Sequence, residues 1–261
     1  MSIPAGPSPR SDSVGPSAAS PAGESSVSRK VAIVTGASQG IGAGIAHGFR
    51  RSGYAVVGTS RSISPSAASD YVTVRGDIAD VETAQMVVEL AIDRFGRIDT
   101  LINNAGIFIS KPFTDYSLDD YLKITAVNLT GFFHITQSVV RWMLAQGTDG
   151  HIVNVTTSLV DHPQSKNPSA LVSLTKGGLA AVTRSLAIEY ASRGLRFNAV
   201  ALGVIENPDY DPASYEGLAQ LHPLGRVGQL SDVVEGVLYL ERAAFVTGVV
   251  LHIDGGQSAG D

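Results

Sequence analysis

The sequence has 261 residues, of which 44% are hydrophobic and 16% charged, and this fits one large α/β domain with a substantial core. Acidic residues outnumber basic ones by 24 to 19, so the chain lacks the basic field that nucleic acids and anionic membranes attract, and neither is expected as a partner. The absence of cysteine excludes disulfides, a thiolate nucleophile and a cysteine-type zinc site, and with no apolar run of roughly 18–20 residues and no secretory signal pattern we expect a cytoplasmic protein.

The first thirty residues differ in composition from the rest of the chain. They are mainly serine, proline, alanine and glycine, and they contain five of the twelve prolines. Such a segment has too little apolar surface to bury, so residues 1–30 are predicted to be a disordered N-terminal tail. It is either an inert leader or an arm that binds a partner.

From Val31 onward, short apolar runs alternate with amphipathic stretches, which is typical of βαβ units around a parallel sheet. Strands are predicted at Val31–Thr35, Ala55–Thr59, Val72–Arg75, Thr100–Asn103, His151–Thr156, Leu195–Val200 and Val249–Ile253. Helices are predicted to begin near Ile41, Val81, Leu118, Ser169 and Ser231, with Ser231 as the N-cap of the last. The pattern predicts an α/β fold with a doubly wound, parallel, seven-stranded sheet, and residues 31–261 as one domain.

A glycine-rich turn joins the first strand to the first helix. Free backbone N–H groups and the positive end of the helix dipole converge there, which suits a pyrophosphate. Gly36 permits the sharp turn, Gly40 the close approach of a ligand oxygen, and Gly42 the packing of the helix on the sheet. The turn predicts a dinucleotide site, with an ordinary glycine-rich turn as the alternative. Its residues are Gly36, Ala37, Ser38, Gln39, Gly40, Ile41 and Gly42.

The end of the second strand indicates which dinucleotide is bound. It reads Ser60-Arg61-Ser62, without the acid that accepts hydrogen bonds from a free ribose 2′-hydroxyl. Ser60 stands where that acid would be, and the planar guanidinium of Arg61 suits a 2′-phosphate. These residues favour NADP over NAD, although Arg61 by itself is also compatible with a solvated surface residue.

With the motifs Thr35–Gly42 and Asn103-Asn104-Ala105-Gly106, the chain resembles the short-chain dehydrogenase/reductase family. The resemblance extends from Lys30 to the C-terminus and includes Asp77-Ile78, Asn128 and Ile253-Asp254-Gly255-Gly256. It implies a Rossmann-like fold with helices on both faces of the sheet, a nicotinamide cofactor, and a homo-oligomer that is a tetramer or a dimer.

The resemblance also implies cofactor contacts outside the glycine turn. Two of the positions have a structural alternative, since Asn103 can tie neighbouring strand ends together and Asp77 can cap the helix near Val81. The implied positions are Asp77 and Ile78 at the adenine, Asn103, Asn104, Ala105 and Gly106 along the groove, and Gly203, Ile205 and Asn207 after the sixth strand.

Catalysis in the family rests on an asparagine, a serine, a tyrosine, and a lysine four residues after the tyrosine. Asn128 and Lys176 match two of these positions, and Lys176 also corresponds to the family's contact with the nicotinamide ribose. Thr157 aligns with the serine, and the neighbouring Ser158 offers a second hydroxyl. The residue four before Lys176 is Val172, so the resemblance predicts a site without the tyrosine that donates the proton.

Three kinds of group are candidates for the missing proton donor. Lys176 can act through a water if burial lowers its pKa. His162 follows the fifth strand on the loop toward the lysine, and imidazole titrates in the useful range. The segment after Gly203 offers Tyr210, Tyr215 or His222 as part of a lid. The remaining possibility is that no donor exists.

The sequence therefore predicts an NADP(H)-dependent oxidoreductase for a small carbonyl, imine or activated alkene, working with Lys176 and either Thr157 or Ser158. A catalytically silent NADP-binding subunit or sensor is one alternative. A non-redox isomerase or dehydratase that uses the same pocket is another. The loop Glu206–Pro223, which we expect to shape the substrate pocket, carries no motif that identifies the substrate.

Overall fold

The computed structural model of the protein describes residues 29–207 and 215–260, so the predicted tail lies almost wholly outside the described residues. The described part contains one seven-stranded sheet in the order β3-β2-β1-β4-β5-β6-β7, and every neighbouring pair of strands is parallel. The strands are β1 Val31–Thr35, β2 Ala55–Ser60, β3 Tyr71–Arg75, β4 Thr100–Asn103, β5 Gly150–Thr157, β6 Leu195–Leu202 and β7 Val250–Ile253.

Helices cover both faces of this sheet, because successive side chains of each buried strand point to opposite faces. On β1, Val31 and Ile33 enter one core, and Ala32 and Val34 enter the other. The first core is closed by α2, α4 and α5, and the second by α1 and α7. The helices are α1 Gly40–Arg51, α2 Val81–Phe95, α3 Leu118–Thr125, α4 Gly131–Gln146, α5 Ala170–Tyr190, α6 Tyr215–Ala219 and α7 Leu230–Arg242. The predicted Rossmann-like, doubly wound sheet is confirmed.

The boundaries required corrections of one or two residues. β3 begins at Tyr71, β5 covers Gly150–Thr157 and β6 continues to Leu202. Ser231 is not the N-cap of the last helix: α7 begins at Leu230, and the N–H of Gln229 donates to Asp232 Oδ2 at 2.8 Å. The carboxylate at the third helical position closes this end of the helix, a capping interaction that a search for a single serine overlooks.

The sequence pattern also missed several helical elements, among them α4, which it did not separate from α3. A five-residue π-helical turn, Ala126–Thr130, connects α3 to α4, and the short α6 follows the undescribed residues 208–214. Among the described residues, no helix has both the length and the apolar character required to cross a membrane.

The chain reverses its direction across the sheet at β1, since β2 lies on one side of it and β4 on the other. In open parallel sheets, ligands bind outside the carboxyl ends of the strands at such a point. Here the Thr35 hydroxyl accepts the N–H groups of Asn104 at 3.1 Å and Ala105 at 3.0 Å. This pins the loop after β4 to the end of β1 and fixes one wall of the crevice.

Candidate active site

The glycine turn brings the N-terminus of α1 to the crevice. Gly36 and Gly40 have φ values of +67° and +54°, a region that side chains disfavour. A Cβ on Gly42 would lie 2.2 Å from the carbonyl oxygen of Gly36, so only glycine allows the helix to pack this closely. A Cβ on Gly40 would meet no atom within 4 Å, and the space in front of the helix is therefore open to a ligand.

The loop after β2 forms a polar groove of about 280 Å³ beside this turn. The Ser62 N–H donates to Ser60 Oγ at 3.2 Å, and the Ser62 hydroxyl donates to Ser38 Oγ at 3.4 Å. Arg75 Nε donates to the backbone oxygen of Arg61 at 2.9 Å, which holds the Arg61 backbone in place. The Arg61 side chain remains 69% exposed, so its guanidinium is available at the groove.

The other wall of this groove contains Asp77 and Ile78. Asp77 Oδ1 accepts the N–H of Ala79 at 3.0 Å, and its Oδ2 lies 3.9 Å from Arg61 Nη1. The N-cap of α2 is Asp80, so the capping role considered for Asp77 is wrong. Asp77 instead faces both the groove and the arginine.

Asn103 and Asn104 serve different purposes although they are adjacent. The buried amide of Asn103 donates to Asn154 Oδ1 on β5 and to Thr136 Oγ1, both at 2.9 Å, which confirms its role in tying strand ends together. The Asn104 amide donates to the backbone oxygen of Thr35 at 2.9 Å. Asn104, Ala105 and Gly106 line the crevice.

Asn128 lies in the π-helical turn, an element that frequently occurs at functional sites. Its Oδ1 accepts the N–H of Ile107 at 2.9 Å, and its Nδ2 donates to the oxygen of Ile107 at 3.2 Å and to Thr175 Oγ1 at 3.1 Å. The buried asparagine therefore connects the wall of the crevice to α5, next to Lys176.

Lys176 projects from α5 into the floor of a cavity of about 340 Å³. The side chain is buried, and Nζ donates to the backbone oxygen of Val155 at 2.8 Å. Burial lowers the pKa of Lys176 to about 8. One turn earlier on the helix, Val172 is also buried, and it packs with Ile124 and Leu171 at the edge of the same cavity.

The two candidate hydroxyls at the end of β5 have different surroundings. The buried Ser158 hydroxyl lies 2.9 Å from Gln257 Oε1 and 3.2 Å from the oxygen of Leu202, so both neighbours are acceptors for its single proton. Thr157 Oγ1 accepts the N–H of Leu159 at 3.3 Å and lines the cavities on both sides. Thr157 is thus the better placed of the two to donate a hydrogen bond to a ligand.

Three cavities form a continuous crevice along the carboxyl ends of the strands. The Arg61 groove and the Lys176 cavity share the residues Gly36, Gln39, Ala105, Gly106 and Ile107. The Lys176 cavity in turn shares Ile41, Phe108, Thr157 and Gly203 with a larger cavity of about 650 Å³.

The residues after β6 form one side of the largest cavity. Gly203, Ile205 and Asn207 all line it. A Cβ on Gly203 would lie 2.6 Å from the His222 ring and 2.9 Å from the backbone of Asp254, so the chain passes too close here for any side chain.

The alternative proton donors do not converge on Lys176. His222 is buried, with Nδ1 2.7 Å from the Asp254 oxygen and Nε2 accepting the N–H of Val204 at 3.3 Å, so both ring nitrogens are used in structural contacts. The Tyr215 hydroxyl donates to the oxygen of Asn207 at 2.8 Å. His162 is absent from the walls of the three cavities described above, and Tyr210 lies outside the described residues.

Several residues that organise the crevice were not predicted from the sequence. Ser62 and Gln257 directly follow motif residues, Arg61 and the Gly255-Gly256 pair, and their positions alone were a usable signal. Thr35 gave a weaker signal, because a threonine ending a strand is common, and its two accepted hydrogen bonds depend on tertiary structure.

A doubly wound parallel sheet with a glycine turn at its reversal point defines a dinucleotide-binding type of α/β protein. The family model described as enoyl-(acyl carrier protein) reductase matches residues 36–258. The chain belongs to the short-chain dehydrogenase/reductase family, and it is an oxidoreductase by that membership.

Similar proteins cover nearly the same length. A 3-oxoacyl-[acyl-carrier-protein] reductase from Synechocystis is 33% identical over 243 residues, which are 87% of this chain and 96% of the relative. The structure of ElxO with NADP bound has a TM-score of 0.82 at 28% identity and covers 89% of this chain and 100% of its own. A 3-ketoacyl-(acyl-carrier-protein) reductase from Brucella melitensis, in complex with NADH, has a TM-score of 0.81 at 29% identity, with 88% and 98% covered.

Proposed function

We propose that the protein is an NADP(H)-dependent oxidoreductase that acts on a small carbonyl compound, imine or activated alkene. The continuity of the three cavities carries the proposal, because it joins the Arg61 groove to Lys176 and Thr157 through shared walls. An extended dinucleotide needs such a path between its adenosine end and its reactive end.

The residues fit NADP(H) at both ends of this path. The open space before Gly40 accommodates a pyrophosphate at the N-terminus of α1. Arg61, with the Ser38 and Ser62 hydroxyls beside it, offers charge-assisted and neutral hydrogen bonds to a 2′-phosphate. The NADP-bound relative supports this assignment and the NADH-bound relative makes it worth testing directly.

A bound nicotinamide supplies or accepts the hydride. Thr157 donates a hydrogen bond to the substrate oxygen or nitrogen, with Ser158 held behind it by Gln257. Lys176 holds the sugar next to the nicotinamide and, with a pKa of about 8, can pass a proton near neutral pH. Asn128 fixes the wall opposite the lysine.

The protein is further proposed to lack the family's tyrosine acid, with Val172 in its place. Thr157 and Lys176 then replace the tyrosine as hydrogen-bond and proton donors. Such a site suits imines and activated alkenes better than simple ketones. A silent NADP-binding subunit or sensor and a non-redox isomerase or dehydratase remain the alternatives, and coenzyme binding without redox turnover would favour them.

A homo-oligomer, a tetramer or dimer, is part of the proposal. Large apolar side chains are exposed on α4, α5 and the segment after α7, and burial against a second copy would remove them from water. They include Phe133, Leu174, Ile188 and Phe245.

The coenzyme assignment is tested with Arg61→Ala. Loss of the guanidinium should weaken NADPH binding about tenfold or more, because hydrogen bonds to charged groups are worth about 1.5–3 kcal/mol, and should leave NADH binding nearly unchanged. Titration of both coenzymes by fluorescence measures this, with Arg51→Ala, on the exposed end of α1, as the control. Equal losses for the two coenzymes would remove the 2′-phosphate assignment.

The proposal that Val172 replaces the family's proton-donating tyrosine is tested with Val172→Tyr. A phenol four residues before Lys176 should raise the kcat for simple ketones about tenfold or more, because general acid catalysis contributes typically about 10²–10⁴-fold. Steady-state assays over a ketone panel measure the change, and Val172→Phe controls for added bulk. A folded Val172→Tyr variant without any gain would contradict the proposal that only the acid is missing.

A further inference from the structure

The surroundings of Lys176 suit a neutral amine better than an ammonium ion. Nζ makes one hydrogen bond to the described residues, to the oxygen of Val155 at 2.8 Å, and the burial of the side chain deprives an ammonium ion of hydration. A neutral amine donates one hydrogen there and keeps its lone pair.

No charged group opposes this preference. Among the described residues, no carboxylate forms an ion pair with Lys176, and burial is the one cause that lowers its pKa to about 8. The residue one turn earlier on α5 is the apolar Val172, and the cavity wall contains apolar and uncharged polar side chains, among them Phe108 and Asn104. A lysine whose amine is desolvated by burial is a nucleophile toward carbonyl carbon.

The amine also has access to a reactant. Lys176 lines the cavity of about 340 Å³, which opens through shared residues into the cavity of about 650 Å³. The Thr157 hydroxyl lies on the wall between the two cavities and can relay protons.

We propose that Lys176 forms a reversible imine with a small aldehyde or ketone that enters this cavity. The nitrogen lone pair forms a bond to the carbonyl carbon, and the carbonyl oxygen takes a proton to give a carbinolamine. The nitrogen then expels that oxygen as water, so the amine and the carbonyl compound yield an imine and one water without any change in redox state. The reaction needs no coenzyme and is therefore an activity additional to the proposed reduction.

Reductive trapping tests the proposal. The full-length protein, without coenzyme, is incubated with acetaldehyde and sodium cyanoborohydride, which reduces an imine to a stable ethylamine, and peptide mass spectrometry locates the ethyl groups. At pH 8 about half of the Lys176 amines are neutral, against under about 1% for an ordinary lysine. We expect Lys176 to be modified at least tenfold faster than the exposed Lys166 at the mouth of the larger cavity.

Four further measurements make the result decisive. The rate at Lys176 should rise as the pH passes through about 8, Lys176→Arg should abolish the fast phase, and Arg51→Ala, on the exposed end of α1, should leave it intact. In urea the two lysines should react alike, which shows that both peptides are detected. Modification of Lys166 without Lys176 in the folded protein, or equal rates at the two, would overturn the proposal.

Discussion

The polar groups at the two ends of the parallel sheet differ in whether they bind one another or remain available to a ligand. At the amino ends of the strands, Tyr54, His151 and Glu241 line a cavity of about 600 Å³, but their polar atoms bind one another. At the carboxyl ends, Arg61, Thr157 and Lys176 face cavities and retain hydrogen-bonding capacity beyond the contacts described above. One end is built for stability and the other for binding, which is the division expected of sheets whose ligand site lies beyond the carboxyl ends.

Hydrogen bonds at the amino end fix the state of His151. Asn198 Oδ1 accepts the N–H of Val249 at 3.2 Å, so its amide nitrogen faces His151 Nε2 at 3.0 Å and makes that ring nitrogen an acceptor. His151 Nδ1 then carries the hydrogen and donates to Glu241 Oε2 at 2.7 Å. The Tyr54 hydroxyl donates to Glu241 Oε1 at 2.8 Å.

The pKa directions agree with this arrangement. Burial lowers the pKa of His151 and outweighs the opposing effect of Glu241, so the ring is neutral. Burial raises the pKa of Glu241, but the hydrogen bonds from His151 and Tyr54 outweigh it and hold the carboxyl below its ordinary value. The network at this end is closed, in contrast to the amine of Lys176 at the other end.

A substitution in the hydrogen-bond network at the amino end of the sheet should have the largest effect on the free energy of unfolding. Glu241→Ala removes the shared acceptor of the buried His151 and the half-buried Tyr54, so we expect a loss of about 2–4 kcal/mol, since an unsatisfied buried donor costs about 1–3 kcal/mol. Urea unfolding measures the loss, and Glu235→Ala, on the exposed face of α7, is the matched control. Similar stabilities for the two variants would show that the network contributes little.

A substitution in the glycine turn at the carboxyl end of the sheet should mainly affect coenzyme binding. In Gly42→Ala the new Cβ lies 2.2 Å from the Gly36 oxygen, so the turn must shift, and we expect NADPH affinity to fall about 100-fold, or about 2.7 kcal/mol. Coenzyme titration gives the value. Gly178→Ala, on the exposed side of α5, where a Cβ would lie at an ordinary contact distance of 3.9 Å from Leu129, should bind normally. Normal binding by Gly42→Ala would contradict the proposed pyrophosphate site.

The smallest effect is a pH dependence of the free energy of unfolding that arises from His151 at the amino end. The folded pKa of His151 lies below its unfolded value of 6.5, so its stabilising contribution is complete above that pH and is lost as the pH falls toward the folded pKa. The slope is at most about 1.4 kcal/mol per pH unit. Unfolding between pH 7 and 5.5 should show a shallower slope in His151→Asn than in the wild type. The exposed His47→Asn should keep the wild-type slope, and equal slopes in all three would exclude His151 as the source.

The elements of the fold were predictable where the local pattern was strong. The starts of α2 and α3 and the bounds of β1 and β4 were predicted to the residue, because buried parallel strands and capped helices carry their own signals. The π-helical turn around Asn128 was not predictable, because its hydrogen-bond pattern depends on the helix packing around it.

The candidate site likewise contains residues that were predictable from the sequence and residues that were not. The Gly36–Gly42 turn and the role of Arg61 can be predicted from the sequence. Glycine requirements, and the serine at position 60 where an acidic residue would bind a free ribose, are properties of single positions. The choice between Thr157 and Ser158 needed Gln257, which is about one hundred residues away in the chain and contacts only Ser158 of the two. The structural role of His222 likewise depended on Asp254 and Val204.

The sequence by itself determined the seven strands in chain order, the glycine turn and the valine four residues before Lys176, because these depend on local periodicity and on residue identity. Tertiary structure alone decided that Lys176 is buried beside the oxygen of Val155, that Thr157 lines both the Lys176 cavity and the larger cavity whereas Ser158 lines only the larger one, and that His151 is neutral. Burial and hydrogen-bond partners set these properties, and the partners come from distant parts of the chain that only folding brings together.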